Sequence, residues 1–350
     1  MATFDITPEK QASIPRFFYH QLTFKPALVH DVSLQGQTAI VTGSNTGIGF
    51  ETSRQLLDLG LSKLILAVRD EAKGNAAREQ LLSSQATDET TTTTANIEVW
   101  PLDLSEYASV QAFAERCASL PHLHLVVLNA GIAPATRVFN AQTGHDQIVQ
   151  VNYLSTALLA ILLVPVLQAK RDSQGGVSRM TIVSSEVAAW TDFRERHRPP
   201  PLLKALDDND AKVDMLDRMM VSKLLGQMFL AELVRRVPAS AVVINAVSPG
   251  SVHDSQFNRE HDRTFSGAIA KIFMRRVAFT AAVGARLVAD AAVRHGEETH
   301  GQFLSFQKVV PMAPMVYNTE GKKVAAQLWQ ETMAELSFAG VEDILSGVQK

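Results

Sequence analysis

The 350-residue sequence contains a single cysteine, Cys117, and only four tyrosines. One cysteine excludes an internal disulfide and any metal site built from several cysteines, and this is typical of proteins from a reducing compartment. Charge of one sign is also lacking, because 33 lysines and arginines are balanced by 36 aspartates and glutamates. Without a basic excess the chain has no field to attract a nucleic-acid backbone. We therefore expect neither a nucleic-acid partner nor a metal.

Long hydrophobic runs are missing as well. The first 20 residues lack the run of about seven consecutive apolar residues that marks a secretory signal. The most apolar stretch, residues 154–167, is shorter than the roughly 20 residues that a membrane-spanning helix needs. This stretch is predicted to be a buried core helix, which predicts no membrane span and a cytoplasmic location.

Apolar strand patterns alternate with helix patterns from residue 37 onwards. Strands are predicted at 38–42, 63–68, 97–102, 124–128, 180–183, 241–247 and 302–306, and helices at 49–59, 70–82, 105–120, 147–168 and 216–237. Strands separated by helices of about ten or more residues pair in parallel through right-handed crossovers. The sequence therefore predicts an α/β fold, a doubly wound parallel sheet of the Rossmann type, as a single domain over residues 37–350. Residues 1–36 are predicted to be a leader packed on that body, and 190–212 to be irregular.

A glycine-rich segment follows the first predicted strand and precedes the first predicted helix of the body. Its residues are Thr42-Gly43-Ser44-Asn45-Thr46-Gly47-Ile48-Gly49. A tight turn needs a residue without a Cβ at the first glycine, close approach to a pyrophosphate needs another, and packing of helix on strand needs the third. The helix that follows offers free N–H groups and a positive dipole end to phosphates. The segment is therefore predicted to bind a dinucleotide.

Further motifs follow the glycine segment in a fixed order. They are Asp103-Leu104, Asn129-Ala130-Gly131, Asn152, Ser185, Lys223, and Pro249-Gly250 followed by Val252. Together with the glycine segment they resemble the short-chain dehydrogenase/reductase family over about residues 37–310. The resemblance is greatest to its retinol-dehydrogenase-like and fungal secondary-metabolism members. Taken singly, Asp103 could equally be a helix cap and Asn129 a turn residue.

The resemblance implies a role for each of these positions. Asp103 hydrogen-bonds the adenine, and Asn129-Ala130-Gly131 shapes the wall of the adenine side. Asn152 belongs to a proton relay, Ser185 and Lys223 are catalytic, and Pro249-Gly250 forms the turn beneath the nicotinamide. The segments at about 186–215 and 250–275 form the substrate loops.

The residue after the second predicted strand bears on the choice of cofactor. An acid there accepts hydrogen bonds from the ribose 2′-hydroxyl, whereas an arginine pairs with a 2′-phosphate. In this chain Arg69 comes first and Asp70 second. We therefore favour NADP(H) over NAD(H). The alternative is that Arg69 is a solvated surface charge and Asp70 caps the next helix.

The family's catalytic tyrosine is missing. The family carries tyrosine four residues before the lysine, so that both point from one helical face into the cleft. Four residues before Lys223 stands Met219, and a thioether cannot exchange a proton. The four tyrosines of the chain, none with a lysine four residues later, are Tyr19, Tyr107, Tyr153 and Tyr317.

Several explanations of this loss remain open. Ser185, Lys223 or His253 could supply the proton, although His253 is more often a plain loop residue. The substrate could instead be electrophilic enough for hydride transfer without a strong acid. Alternatively the chain is a redox-silent cyclase, isomerase or epimerase, or a non-catalytic NADP(H) sensor.

The leading hypothesis is an NADP(H)-dependent short-chain oxidoreductase. It would reduce a carbonyl or a conjugated C=C or C=N bond of a hydrophobic small molecule, in secondary-metabolite biosynthesis, with an atypical proton donor. Soft methionine side chains near the cleft, Met215, Met219 and Met220, suit an irregular apolar ligand, although Met215 and Met220 are also expected to belong to the core. The sequence leaves open the substrate and whether the chain forms a homo-oligomer.

Overall fold

A single eight-stranded sheet runs through the protein in the computed structural model, which describes residues 4–86, 95–254 and 275–348. The strands are β1 (Thr38–Thr42), β2 (Lys63–Val68), β3 (Asn96–Pro101), β4 (Leu125–Leu128), β5 (Ser178–Val183), β6 (Val242–Val247), β7 (Phe303–Ser305) and β8 (Lys308–Val310). Their order in the sheet is β3-β2-β1-β4-β5-β6-β7-β8. Strands β1 to β7 pair in parallel, which confirms the predicted doubly wound sheet.

The eighth strand was not predicted. It pairs antiparallel with β7 through a hairpin whose turn residues, Phe306 and Gln307, have φ angles of 48° and 58°. Side chains other than glycine, asparagine and aspartate rarely adopt this left-handed conformation. The residue types therefore gave no signal for a turn at this position.

Helices cover both faces of the sheet. They are α1 (Pro8–Gln11), α2 (Ile14–Thr23), α3 (Gly47–Asp58), α4 (Glu71–Ala86), α5 (Tyr107–Ala118), α6 (Gln147–Val149), α7 (Ser155–Ala169), α8 (Leu202–Leu206), α9 (Met215–Leu233), α10 (Ala281–Val293), α11 (Pro314–Tyr317), α12 (Thr319–Glu335) and α13 (Val341–Val348). A π-helical turn, Gln150–Leu154, joins α6 to α7.

The hydrophobic core has two halves, one on each face of the sheet. Successive strand side chains point to opposite faces, so Ile40 belongs to one half and its neighbours Ala39 and Val41 to the other. Helices α5, α7 and α9 pack on the first face, and α3, α4 and α10 on the second. The sheet is thereby covered on both sides, as parallel sheets are.

The apolar helix predicted to lie in the core is largely buried. The continuous helical segment Gln147–Ala169 is long and apolar enough to cross a membrane by length and composition, but 83% of its most apolar window is buried inside the protein. A helix that is enclosed by other elements is expected to be apolar on all of its faces. Core packing accounts for its composition.

The segment predicted to be irregular, residues 190–212, contains the short helix α8. Leu202, Leu203 and Leu206 are buried in the core, which gives this stretch a reason to be ordered. The carboxylate of Glu331 on α12 accepts hydrogen bonds from the first two N–H groups, those of Leu202 and Leu203, each at 2.7 Å. A cap supplied by a distant helix is invisible in the local sequence, so the prediction of an irregular segment was wrong here.

Candidate active site

The glycine segment forms a cradle that side chains would fill. Gly43 has a φ of +64°, and a Cβ on it would lie 3.0 Å from the Cα of Ala130. A Cβ on Gly49 would lie 2.5 Å from Nδ2 of Asn129 and equally close to the carbonyl oxygen of Gly43. Gly47, with a φ of +58°, also adopts the left-handed conformation. The three glycines thus occupy the positions at which the turn requires them.

Two neighbouring strand ends are tied together at this cradle. Oγ1 of Thr42, at the end of β1, accepts hydrogen bonds from the backbone N–H groups of Asn129 and Ala130, each at 2.9 Å. Nδ2 of Asn129 donates in return to the carbonyl oxygen of Thr42 at 2.9 Å. The Asn129-Ala130-Gly131 motif therefore fixes the position of the glycine turn.

The amino end of α3 is open to an anion. Its N-cap residue, Thr46, makes no side-chain capping hydrogen bond among the described residues, so the first-turn N–H groups keep their capacity to donate. Beside them, Oγ of Ser44 is buried and also lacks a hydrogen-bond partner within the part of the chain that the structure describes. Orphan donors at a helix amino end fit the pyrophosphate of a dinucleotide. The residues present therefore fit a dinucleotide cofactor.

The acidic and basic residues that were predicted to lie on the adenine side differ in their surroundings. Oδ1 of Asp103 accepts from the backbone N–H of Ser105 at 2.8 Å, and Leu104 is buried beside it. Arg69 is exposed just beyond β2. Asp70 accepts from the backbone N–H of Lys73 at 3.1 Å, and this hydrogen bond is the main reason why the pKa of Asp70 is lowered. Asp70 is thus engaged at the start of α4.

Asn152 sits in the π-helical turn before α7, and its side chain is held from two directions. Its Oδ1 accepts from the N–H of Ile132 at 2.8 Å, and its Nδ2 donates to the carbonyl oxygen of Ile132 at 2.9 Å. Nδ2 also donates to Oγ of Ser222 on α9 at 3.1 Å. Single π-helical turns inside α-helices occur frequently at functional sites. Asn152 therefore links the segment after Gly131 to α9.

Lys223 lies half-buried on α9, opposite the end of β5. Its Nζ donates to the carbonyl oxygen of Val183 at 3.0 Å. Burial disfavours the ammonium form and lowers the pKa of Lys223 to about 8. A cavity of about 30 Å³ adjoins it, and the polar residues in its wall are Asn152, Tyr153, Thr156, Ser184, Ser222 and Lys223. Such a cavity has room for a water molecule, which needs roughly 15 Å³.

Met219 lies one helical turn before Lys223 and is half-buried. Its backbone carbonyl oxygen accepts a hydrogen bond from Oγ of Ser222 at 2.7 Å. Its side chain offers only a thioether. Met215 and Met220 are also only half-buried, so the expectation that they belong to the core was wrong.

Tyr153 follows Asn152 in the π-helical turn, and it is not a substitute for the missing phenol. Its side chain lines the same cavity but is only 2% exposed, and its hydroxyl is 2.6 Å from Oγ1 of Thr332 on α12. Burial raises the pKa of Tyr153. The phenol is therefore occupied inside the core.

Ser185 begins the helical turn that follows β5. Its Oγ accepts from the backbone N–H of Val187 at 3.3 Å, and its carbonyl oxygen accepts from Nε2 of Gln227 on α9, also at 3.3 Å. Oε1 of Gln227 accepts in turn from the N–H of Ala313 at 2.8 Å. Ser185 and Lys223 are thus both held between β5 and α9.

Comparisons with known proteins agree with this geometry. Residues 37–189 match the family model described as short chain dehydrogenase. The chain is 42% identical to the short-chain dehydrogenase fogG of Aspergillus ruber over 352 aligned positions, covering 99% of each chain. It is 38% identical to the short chain dehydrogenase/reductase mfmJ of Annulohypoxylon moriforme, covering 95% of this chain and 94% of the relative.

The chain belongs to the short-chain dehydrogenase/reductase family. It is an enzyme of this oxidoreductase family, of the fungal secondary-metabolism type that the resemblance predicted.

Solved structures share the fold at lower sequence identity. An uncharacterized protein from Mycobacterium paratuberculosis has a TM-score of 0.62 and 23% identity, covering 87% of this chain and 95% of that one. An NADPH-bound short chain oxidoreductase from Pseudomonas aeruginosa, described as containing an atypical catalytic center, has a TM-score of 0.56 and 20% identity. It covers 78% of this chain and 96% of that one. These likenesses support the Rossmann-type architecture.

Glu186 is a residue of this dehydrogenase fold that the sequence reasoning missed. Its carboxylate is 5% exposed and accepts hydrogen bonds from Oγ of Ser248, after β6, and Oγ of Ser305, in β7. Burial, which disfavours the charged form, raises the pKa of Glu186. The only local signal is an acid shortly after an apolar strand, because its burial depends on Ser248 and Ser305, far along the chain.

The remaining predicted positions lie around the turn after β6. Gly250 has a φ of +71°, and the backbone N–H of His253 donates to the carbonyl oxygen of Phe279 at 3.1 Å. Val252 forms an isolated parallel bridge with Phe279. The predicted substrate loop at 250–275 falls largely on residues 255–274, which lie outside the described residues.

Proposed function

We propose that the enzyme is an NADP(H)-dependent reductase of a carbonyl or a conjugated C=C or C=N bond in a hydrophobic small molecule of secondary metabolism. In this proposal the pyrophosphate lies at the amino end of α3, and the nicotinamide lies over the turn at Pro249-Gly250. The observation that carries the proposal is the position of Lys223 and its lowered pKa. A lysine whose pKa is lowered to about 8 lies one helical turn from Met219, at the end of the strand that leads to Ser185.

The preference for NADP(H) is supported by the end of β2. Asp70 is engaged at the start of α4, through the backbone N–H of Lys73 and an ion pair with its ammonium at 3.0 Å. The exposed Arg69 directly follows β2, which pairs with β1, and the end of β1 leads into the glycine cradle. A guanidinium in that position suits the 2′-phosphate of NADP(H).

Lys223 is proposed as the proton donor. When bound, the reduced cofactor supplies a hydride to the substrate carbon. The Ser185 hydroxyl accepts from Val187 and can donate its own proton to the substrate oxygen, which holds that oxygen in place. The Lys223 ammonium then delivers a proton through a water in the adjoining cavity, so that the carbonyl becomes an alcohol and Lys223 becomes neutral. Protonation from solvent restores it.

A redox-silent cyclisation or isomerisation is the second candidate. The observation that favours it is Met219, because a thioether takes no part in proton transfer where the family uses a phenol. Under this alternative the same cleft would hold the cofactor as a scaffold, and the substrate would leave with its oxidation state unchanged.

Deuterium transfer separates these two functions. The enzyme would be incubated with NADPH carrying deuterium at the transferable C4 position and with a panel of apolar aryl ketones, enones and cyclic imines. We expect a product that contains one deuterium, formed in a one-to-one ratio with the NADPH oxidised. A product that forms without deuterium and without loss of NADPH absorbance would sink the reductase and favour the isomerase. A Lys223→Met variant, with Lys212→Met at an exposed position as its control, reports whether this lysine takes part.

A further inference from the structure

The leader reaches the cofactor side of the protein through helix α2. Phe17 packs edge-to-face on Trp190, with ring centroids 5.2 Å apart, and against Phe306 at 6.0 Å. Trp190 follows the turn that begins at Ser185, and its Nε1 donates to the carbonyl oxygen of Ala12 at 2.8 Å. Helix α2 therefore covers the carboxyl ends of β5 and β7, although it lies outside residues 37–189 that match the family model.

Gln21 is the residue of α2 that contacts the turn after β6. It is a polar side chain only 2% exposed. Its Oε1 accepts from the N–H of Ser251 at 2.9 Å, and its Nε2 donates to the carbonyl oxygen of the same residue at 3.2 Å. One amide thus satisfies both backbone groups of a single residue, which fixes the orientation of the two peptide planes around it.

The neighbouring glycine fits this contact. A Cβ on Gly250 would lie 2.9 Å from Oε1 of Gln21 and 3.1 Å from the ring of Phe279. The N–H of Phe279 donates to the carbonyl oxygen of Ser251 at 2.8 Å, and the N–H of Gly250 donates to Oγ of Ser248 at 3.1 Å. The turn is therefore held by contacts with Ser248, Phe279 and Gln21. Of these three residues, Gln21 is the one that belongs to the leader.

We infer that Gln21 is a positioning residue for the nicotinamide half of the cofactor. It acts through the backbone of Gly250 and Ser251 rather than by touching the cofactor. The inference rests on the proposed function, in which this turn lies beneath the nicotinamide. Because the glycine cradle is held by contacts of its own, at Thr42 and Asn129, loss of Gln21 should loosen one half of the cofactor site and leave the other intact.

Two ligands distinguish the two halves of the site. NADPH contains the nicotinamide, whereas 2′-phospho-ADP-ribose carries the adenine, the 2′-phosphate and the pyrophosphate without it. The Kd of each would be measured for the full-length wild type, for Gln21→Met, which removes both hydrogen bonds, and for Gln21→Glu, which keeps the acceptor. Gln35→Met makes the same chemical change at an exposed position of the leader.

We expect Gln21→Met to raise the Kd of NADPH about tenfold, as loss of roughly one well-placed pair of hydrogen bonds would. The Kd of 2′-phospho-ADP-ribose should change less than about twofold in the same variant, and Gln21→Glu should fall between wild type and Gln21→Met for NADPH. Unchanged binding of NADPH by Gln21→Met, or equal weakening of both ligands, overturns the positioning role. A wild type that binds neither ligand overturns the proposed function itself.

Discussion

At the scale of single residues, a thioether at position 219 cannot donate a proton as the family's phenol does. In the proposed reduction, the proton must therefore come from another polar group of the site. A phenol in the family position would titrate beside the lysine, but Met219 has no proton to give. Burial of Lys223 lowers its pKa to about 8, so the ammonium is a stronger acid than an ordinary lysine and is still largely protonated at neutral pH. In the proposed reduction, proton donation therefore depends on Lys223, whose pKa of about 8 lies close to physiological pH.

The pH dependence of reduction tests this role. A general acid must be protonated, so kcat/KM should be constant below pH 7 and should fall as the pH rises through about 8, the pKa of Lys223. Met219→Tyr restores a second proton-exchanging group and should raise kcat, by up to the roughly 10² that a general acid contributes. Measurement of initial rates across the pH range for both proteins checks the prediction. A flat wild-type profile through pH 9 would exclude Lys223 as the acid.

Arg69 carries a second residue-scale prediction. A guanidinium paired with a 2′-phosphate makes charge-assisted hydrogen bonds, so Arg69→Ala should weaken NADPH binding by roughly tenfold to a hundredfold and leave NADH binding unchanged. Fluorescence titration of both cofactors against Arg69→Ala measures this difference. The matched control is Arg171→Ala, an exposed arginine outside the proposed site. Equal affinities of the wild type for NADPH and NADH would contradict the preference.

At the scale of elements, the regular parts of the fold were predictable and the tertiary contacts were not. Strands β1 and β2 have the predicted bounds because their apolar runs are sharply delimited by glycine and polar residues. The cradle was predictable because its chemistry is local: the turn, the helix amino end and the glycines are contiguous. The contacts of Asn152 and the burial of Glu186 depend on partners far along the chain. The hairpin of β8 is local, but it turns through residue types that rarely adopt its left-handed conformation.

Helix α8 shows how such a distant partner can order a segment. Its first two N–H groups donate to the Glu331 carboxylate, which also accepts from Nε2 of Gln327 at 2.8 Å. Glu331→Ala removes the cap and should destabilise the protein by about 1–2 kcal/mol. Amide hydrogen exchange should accelerate at Leu202–Leu206 more than in α9. Glu79→Ala, at an exposed position of α4, is the control; equal protection of α8 in Glu331→Ala and wild type would show that the cap is dispensable.

At the scale of the whole molecule, the ends of three strands meet at one buried carboxyl group. Glu186 follows β5 and accepts from Ser248, which follows β6, and from Ser305 in β7. Ser248 accepts in turn from the N–H of Gly250, so the same group connects the sheet to the proposed nicotinamide turn. The fold thus places an acid at a position where its charge is costly, because burial removes the carboxylate from water.

The pH dependence of stability follows from that placement. Burial raises the pKa of Glu186 above its ordinary value of 4.5, so the folded state holds its proton more tightly than the unfolded state. The resulting stabilisation is present at pH 4 and is lost as the pH rises through the raised pKa. Glu186→Gln keeps the shape and removes the charge, so it should match wild type near pH 4 and exceed it by about 1 kcal/mol at pH 8. Thermal unfolding of both proteins across this range, with Glu79→Gln as the exposed control, measures the difference. Parallel curves for wild type and Glu186→Gln would mean that the carboxyl group is no more costly to ionise in the folded protein than in water.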